Sequence, residues 1–135
     1  MNSSNRLRVV IDTNVFISGL TWGGNPKIIL RDWLKRKFSL LMSPYLCFEI
    51  ISVYERLNNP KEDVEKLKLY LETQTIKIIP RKKINVCRDK KDNQILALCL
   101  AGDADFLITG DKDLLSLKKF GDTKILKPKE FLKLL

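Results

Sequence analysis

A chain of 135 residues is the size of one domain, residues 1–135, and can bury roughly two-thirds of its unfolded surface. Histidine is absent, which excludes Ser-His-Asp and Cys-His catalysis, histidine-bound zinc and imidazole-based nuclease chemistry. The formal charge of +9 points either to an acidic partner, nucleic acid being the commonest, or to solubility alone.

The first strand is predicted over residues 8–12. Val9, Val10 and Ile11 in succession read as a strand buried on both faces. A helical turn follows over 14–20, then a Gly23-Gly24-Asn25 loop, and Pro26 opens a helix to about residue 37. A second strand covers 38–42. Ser43-Pro44 is an N-cap followed by proline at the first helical position, starting a helix to about 57. Asn59-Pro60 repeats that logic for a polar amphipathic helix to about 73. A third strand spans 75–79, a basic loop 80–91, and an apolar helix 92–101 ends at Gly102 as C-cap. A fourth strand (106–108), a short helix (113–119), a fifth strand (123–126) and a last helix (128–135) complete the chain. Strands alternating with helices imply a parallel sheet covered on both faces.

No segment reaches the roughly 20 apolar residues needed to span a bilayer. The N-terminus, Met1 to Arg6, carries no apolar signal region, so a cytoplasmic location is expected. Cys47, Cys87 and Cys99 are widely spaced without a Cys-x-x-Cys pair, and are expected to act as small buried apolar residues rather than as a zinc site or disulfide framework.

Four acids fall where this layout brings them together. Asp12 ends the first strand, at the carboxyl edge where open α/β sheets bind ligands; it also reads as a helix cap. Glu49 lies on the helix that starts at Ser43. It borders the apolar face of Leu46, Ile50, Val53 and Leu57, where an acid needs a partner, although a glutamate at such an edge can also reach water. Glu55 falls on the opposite, solvated side. Asp92 opens the apolar helix, with Asp89 readable as its cap or as a further ligand. Asp111 follows the fourth strand as Asp12 follows the first, or serves as a turn aspartate. Asp113 reads as the cap of the short helix, and Asp103 and Asp105 as solvated.

Gathered carboxylates repel one another, and a hard cation among them relieves the repulsion. Mg²⁺ and Mn²⁺ prefer oxygen ligands and support phosphoryl hydrolysis without histidine. The loop Arg81, Lys82, Lys83, Arg88, Lys90 and Lys91 leads into Asp92 and is suited to gripping a phosphate backbone, or is simply solvated.

At these residues the chain resembles the PIN-domain proteins, of the group described as toxin components of toxin–antitoxin systems. The similarity runs in order through Arg8–Ser18, Leu41-Met42-Ser43-Pro44 with Glu49, Cys87-Arg88-Asp89 with Asp92 and Ala97, Ala104–Leu115, and Ile125–Leu132. It implies a three-layer α/β/α sandwich around a central parallel sheet of about five strands. It further implies an Mg²⁺- or Mn²⁺-dependent ribonuclease with Asp12, Glu49, Asp92 and Asp111 as catalytic, metal-holding acids. Asn14 and Thr109 would support Asp12 and Asp111. An RNA substrate, a small antitoxin partner and a homodimer follow from the same resemblance. The chain departs from the family pattern between Asp89 and Asn93, where Lys90 and Lys91 stand and no extra ligand is implied.

The resulting expectation is a metal-dependent endoribonuclease. Two alternatives are a non-catalytic RNA-binding or regulatory module on the same fold, and a phosphatase with a strand-end aspartate nucleophile. The latter usually carries Asp-x-Asp, whereas Asn14 stands second here.

Overall fold

The computed structural model describes residues 6–135; residues 1–5, which belong to the stretch without a signal region, lie outside the described residues. Six strands form the sheet: β1 (Arg8–Ile11), β2 (Ser39–Met42), β3 (Ile76–Lys77), β4 (Phe106–Ile108), β5 (Lys119–Phe120) and β6 (Thr123–Leu126), in the order β3-β2-β1-β4-β6-β5. All neighbours are parallel except β5 and β6. Seven helices accompany them: α1 (Thr13–Thr21), α2 (Gly24–Leu34), α3 (Pro44–Arg56), α4 (Lys61–Thr73), α5 (Lys90–Ala101), α6 (Lys112–Leu117) and α7 (Pro128–Leu132).

Alternate side chains of a strand point to opposite faces. Val9, Val10 and Ile11 are all 0% exposed, so helices cover both faces of β1, as the apolar run predicted. β1 lies in the middle of the sheet. The chain builds outward from it on one side through β2 and β3, then crosses by α5 to β4 on the other side. That reversal places a crevice at the carboxyl ends of β1 and β4, the usual ligand position in such sheets.

The sheet has six strands rather than about five. The unforeseen β5 is a two-residue antiparallel partner of β6, with Phe120 opposite Thr123. Gly121 supplies the positive φ of 57° that the intervening turn needs. Such a short strand has no alternation to betray it. The preceding helix accordingly ends at Leu117 rather than at 119. β3 is also shorter than expected, because only Ile76 and Lys77 pair with β2.

Local signals were mostly obeyed. Ser43 caps α3, accepting from the Leu46 amide at 3.2 Å. Asn59 does not cap α4, however. Its amide donates to the Tyr54 carbonyl at 2.8 Å and closes the end of α3 instead. The predicted Gly23-Gly24-Asn25 loop is partly absorbed by α2, which starts at Gly24. Gly102 ends α5, but with φ −94° it is not a left-handed cap. Its glycine is needed for space, since a Cβ there would lie 2.6 Å from Leu41 Cδ1. Cys99 is buried as expected, whereas Cys47 and Cys87 are only half-buried. Among the described residues, no helix is long and apolar enough to cross a membrane.

Candidate active site

Asp12 follows β1 directly. Its backbone N–H donates to the Ile108 carbonyl at 3.0 Å, which carries the β1–β4 register one residue further. That register sets Thr109 beside Asp12, and the Thr109 hydroxyl donates to Asp12 Oδ2. Asp12 Oδ1 accepts from the Val15 amide at 2.9 Å, capping α1. Cap and candidate site residue are therefore the same carboxylate. Burial pushes its pKa above the usual aspartate value against these two hydrogen bonds, and the charges of Asp111 and Glu49 push it further.

Thr109 has a second task. Its hydroxyl accepts from the Asp111 N–H at 3.0 Å, so one buried side chain ties both strand-end acids together. Asp111 caps α6, accepting from the Asp113 and Leu114 amides at 2.8 and 3.1 Å. This corrects the expectation that Asp113 is the cap. Asp113 sits in the first turn of α6 instead, and that position frees its side chain.

Asp89 caps α5 through the Lys91 amide at 2.9 Å, so α5 begins at Lys90 and Asp92 lies within its first turn. Asp92 is 8% exposed. Its pKa is pushed up from 3.8 to about 6, first by burial and then by Asp111, Asp89, Asp113 and Asp12. Carboxylate oxygens of Asp92, Asp111 and Asp113 all lie within 4.8 Å of one another.

Glu49, on α3, is clamped. Its Oε1 accepts from the Thr13 hydroxyl, its Oε2 accepts from the Tyr45 hydroxyl at 3.1 Å, and Lys91 Nζ lies 3.8 Å from Oε2. Burial and this bond to Glu49 push the Tyr45 phenol up to about 12, so it remains a donor at neutral pH.

Asp12, Glu49, Asp92 and Asp111 thus line a single cleft of about 200 Å³, together with Asn14, Asp89 and Lys91. The tightest group is a different set, in which Asp113 joins Asp92 and Asp111. Of the basic stretch, Lys91 lines the cleft and Arg88 reaches Asp113. Lys82 and Arg81 line a separate groove with Ile78, Ile79 and Leu100. Lys83 and Lys90 are exposed.

Sequence reasoning missed Thr13, Tyr45 and Asn93 as supports. Tyr45 had a signal, since it lies four residues before Glu49 on one helix face. Thr13 and Glu49 are 36 residues apart, and no local pattern links them.

The donors suit a hard divalent ion. They are carboxylate oxygens, gathered where burial and mutual repulsion disfavour their charge. The nearby Cys87 thiol is pushed up by its own burial and by the acids, so it stays protonated and offers no soft ligand.

The chain matches the family model of the PIN domain over residues 8–113. It is 35% identical over 144 residues to the uncharacterized protein MJ1680 of Methanocaldococcus jannaschii, covering 94% of this chain and 90% of that protein. Its fold is similar to that of a chain in the crystal structure of VapBC2 from Rickettsia felis bound to a DNA fragment from their promoter. The TM-score is 0.58 at 12% identity, over 88% of this chain and 97% of that one. It is similar also to a chain of FitAcB from Neisseria gonorrhoeae, with TM-score 0.56 at 15% identity over 90% and 98% of the two chains. The chain belongs to the PIN-domain family.

Proposed function

We propose that residues 1–135 form one domain acting as a metal-dependent endoribonuclease, the toxin of a toxin–antitoxin pair, at work in the cytoplasm. PIN domains are generally nucleases. The observation that carries this reading is the oxygen-only cleft. Asp92, Asp111 and Asp113 converge within 4.8 Å, in a cleft that Asp12 and Glu49 also line, in a chain without histidine.

In this reading Asp12, Glu49, Asp92 and Asp111 hold Mg²⁺ or Mn²⁺, and Asp113 joins them. Bound there, the ion would polarise a phosphoryl oxygen and lower the pKa of a bound water. The protein's own part is orientation. Thr109 holds Asp12 and Asp111 in one frame, Thr13 and Tyr45 hold Glu49, and Asn14 offers an exposed polar group at the rim. Lys82, Lys83, Arg88, Lys90 and Lys91 serve the RNA backbone. A small antitoxin and a second copy of the chain are the protein partners; the likeness to the VapBC2 and FitAcB chains supports the antitoxin. The phosphatase alternative loses ground, because both oxygens of Asp12 already accept hydrogen bonds, which blunts it as a nucleophile.

The test is cleavage of structured and unstructured RNA with Mg²⁺, Mn²⁺ or EDTA, with Asp12→Asn as control. Cleavage abolished by EDTA and by the substitution is expected. Binding of RNA without cleavage in any metal would favour the non-catalytic module instead.

A further inference from the structure

Asn93, buried on α5, fastens the loop that leads into its own helix. Its Oδ1 accepts from the Val86 and Cys87 amides at 3.0 and 2.8 Å, and its Nδ2 donates to the Cys87 carbonyl at 3.0 Å. Asp89 caps the helix that follows. The segment from Val86 to Lys91 is therefore held at both ends, and two cations leave it toward the acids. Arg88 Nη2 lies 3.2 and 3.0 Å from the two oxygens of Asp113, and Lys91 Nζ lies 3.8 Å from Glu49 Oε2. Asp113 belongs to the converging group, and Glu49 lines the same cleft. The Arg88 and Lys91 side chains are 88% and 68% exposed. Pairs so open to water are weak, and a doubly charged ion can outcompete them.

We propose that Arg88 and Lys91 are internal counter-ions of the acidic cleft. They leave Asp113 and Glu49 when a divalent cation binds, and then face the phosphates of the bound RNA. The proposal rests on the reading of the cleft as a metal-dependent RNA site and adds a coupling to it. The cations that the substrate needs are released by the metal, so metal and RNA each strengthen binding of the other. Arg88 suits the second task, because a guanidinium fork freed from one carboxylate matches a phosphate in the same bidentate manner. Lys112 provides the contrast. It adjoins Asp111 in sequence and is exposed, yet it pairs with no acid among the described residues.

The experiment titrates Mn²⁺ into the metal-free full chain by calorimetry, for the wild type, Arg88→Met, Lys91→Met, Lys112→Met, Asp113→Asn and the Arg88→Met/Asp113→Asn double variant. Arg88→Met and Lys91→Met should each bind Mn²⁺ about two- to fivefold more tightly, and Lys112→Met should not. In the Asp113→Asn background Arg88→Met should have no effect, because the partner through which it acts is gone. A second arm measures binding of a labelled 2′-O-methyl oligoribonucleotide. Mn²⁺ should tighten it in the wild type and markedly less in Arg88→Met/Lys91→Met. This arm decides if Asp113→Asn binds Mn²⁺ too weakly to titrate. An Arg88→Met effect that survives in Asp113→Asn, or an equal effect of Lys112→Met, would mean diffuse electrostatics and overturn the proposal while leaving the metal site standing. Absence of Mn²⁺ binding to the wild type would remove both.

Discussion

Replacing Asp92 by asparagine should stabilise the metal-free protein while weakening its response to metal. The carboxyl is 8% exposed, makes no side-chain hydrogen bond among the described residues, and its pKa rises from 3.8 to about 6 on folding. A shift of that size corresponds to about 3 kcal/mol against the ionised form at neutral pH. This is an upper bound, because part of it belongs to the charges of Asp111, Asp89, Asp113 and Asp12, which readjust when one carboxylate is neutralised. Asp92 also sits in the first turn of α5, where a negative charge gains about 0.5 kcal/mol from the helix dipole. The net gain for Asp92→Asn at pH 7 is therefore about 1–2 kcal/mol, or about 3–8 °C in melting temperature for a chain this long. The sign with pH follows from the raised pKa. The wild type keeps the contribution of this group below pH 3.8 and loses it as pH rises through about 6. In EDTA its stability should fall across that window, and the variant should be flatter there. Thermal melts from pH 3.5 to 8, with EDTA or Mg²⁺, test both statements. Mg²⁺ should raise the melting temperature of the wild type more than that of Asp92→Asn. A variant that melts lower than wild type in EDTA at pH 7, or that keeps the full decline between pH 4 and 6, would refute the account of Asp92 as a repelled, partnerless acid.

Three further outcomes are expected. Gly19→Ala places a Cβ 2.7 Å from Leu30 Cδ1 and 2.8 Å from the Pro26 carbonyl oxygen, so α1 and α2 must separate; denaturant unfolding should show a loss of about 1–3 kcal/mol. Asn93→Ala removes three buried hydrogen bonds to Val86 and Cys87, which should cost about 2–3 kcal/mol in the same assay. Replacing Lys82 and Lys83 by alanine should flatten the salt dependence of RNA binding by roughly one unit for each phosphate left without its lysine, with Mn²⁺ affinity unchanged; an unchanged slope would mean that RNA enters along Arg88 and Lys91 instead.

The first strand, the position of Asp12 and the Ser43 cap were legible because each rests on interactions within a few residues of chain. The parallel architecture was legible for a related reason: a strand that is apolar on both faces has to be covered twice. Competing local readings of the acids proved compatible. Asp12, Asp89 and Asp111 are all helix caps, and a cap at the carboxyl edge of a parallel sheet points into the ligand crevice. Asp113 was misassigned because Asp111 and Asp113 are equally plausible caps on paper, and only the backbone path after β4 chooses between them. The Asn59 signal failed because its amide found a carbonyl at the end of the preceding helix. The β5–β6 ribbon was too short to leave a pattern.

Residue types and their order thus determined which groups were available: oxygen ligands without imidazole, a strand-end aspartate on each of two strands, and a basic stretch ahead of Asp92. Tertiary structure decided which of them meet. The β1–β4 register set Thr109 between Asp12 and Asp111. The packing of α3 brought Glu49 to Thr13 across 36 residues, and the Asn93 anchor divided the basic stretch, sending Arg88 and Lys91 to the acids while Lys82 lines another groove. Such pairings depend on distances between elements far apart in the chain, and those distances exist only once the sheet and its helices have packed.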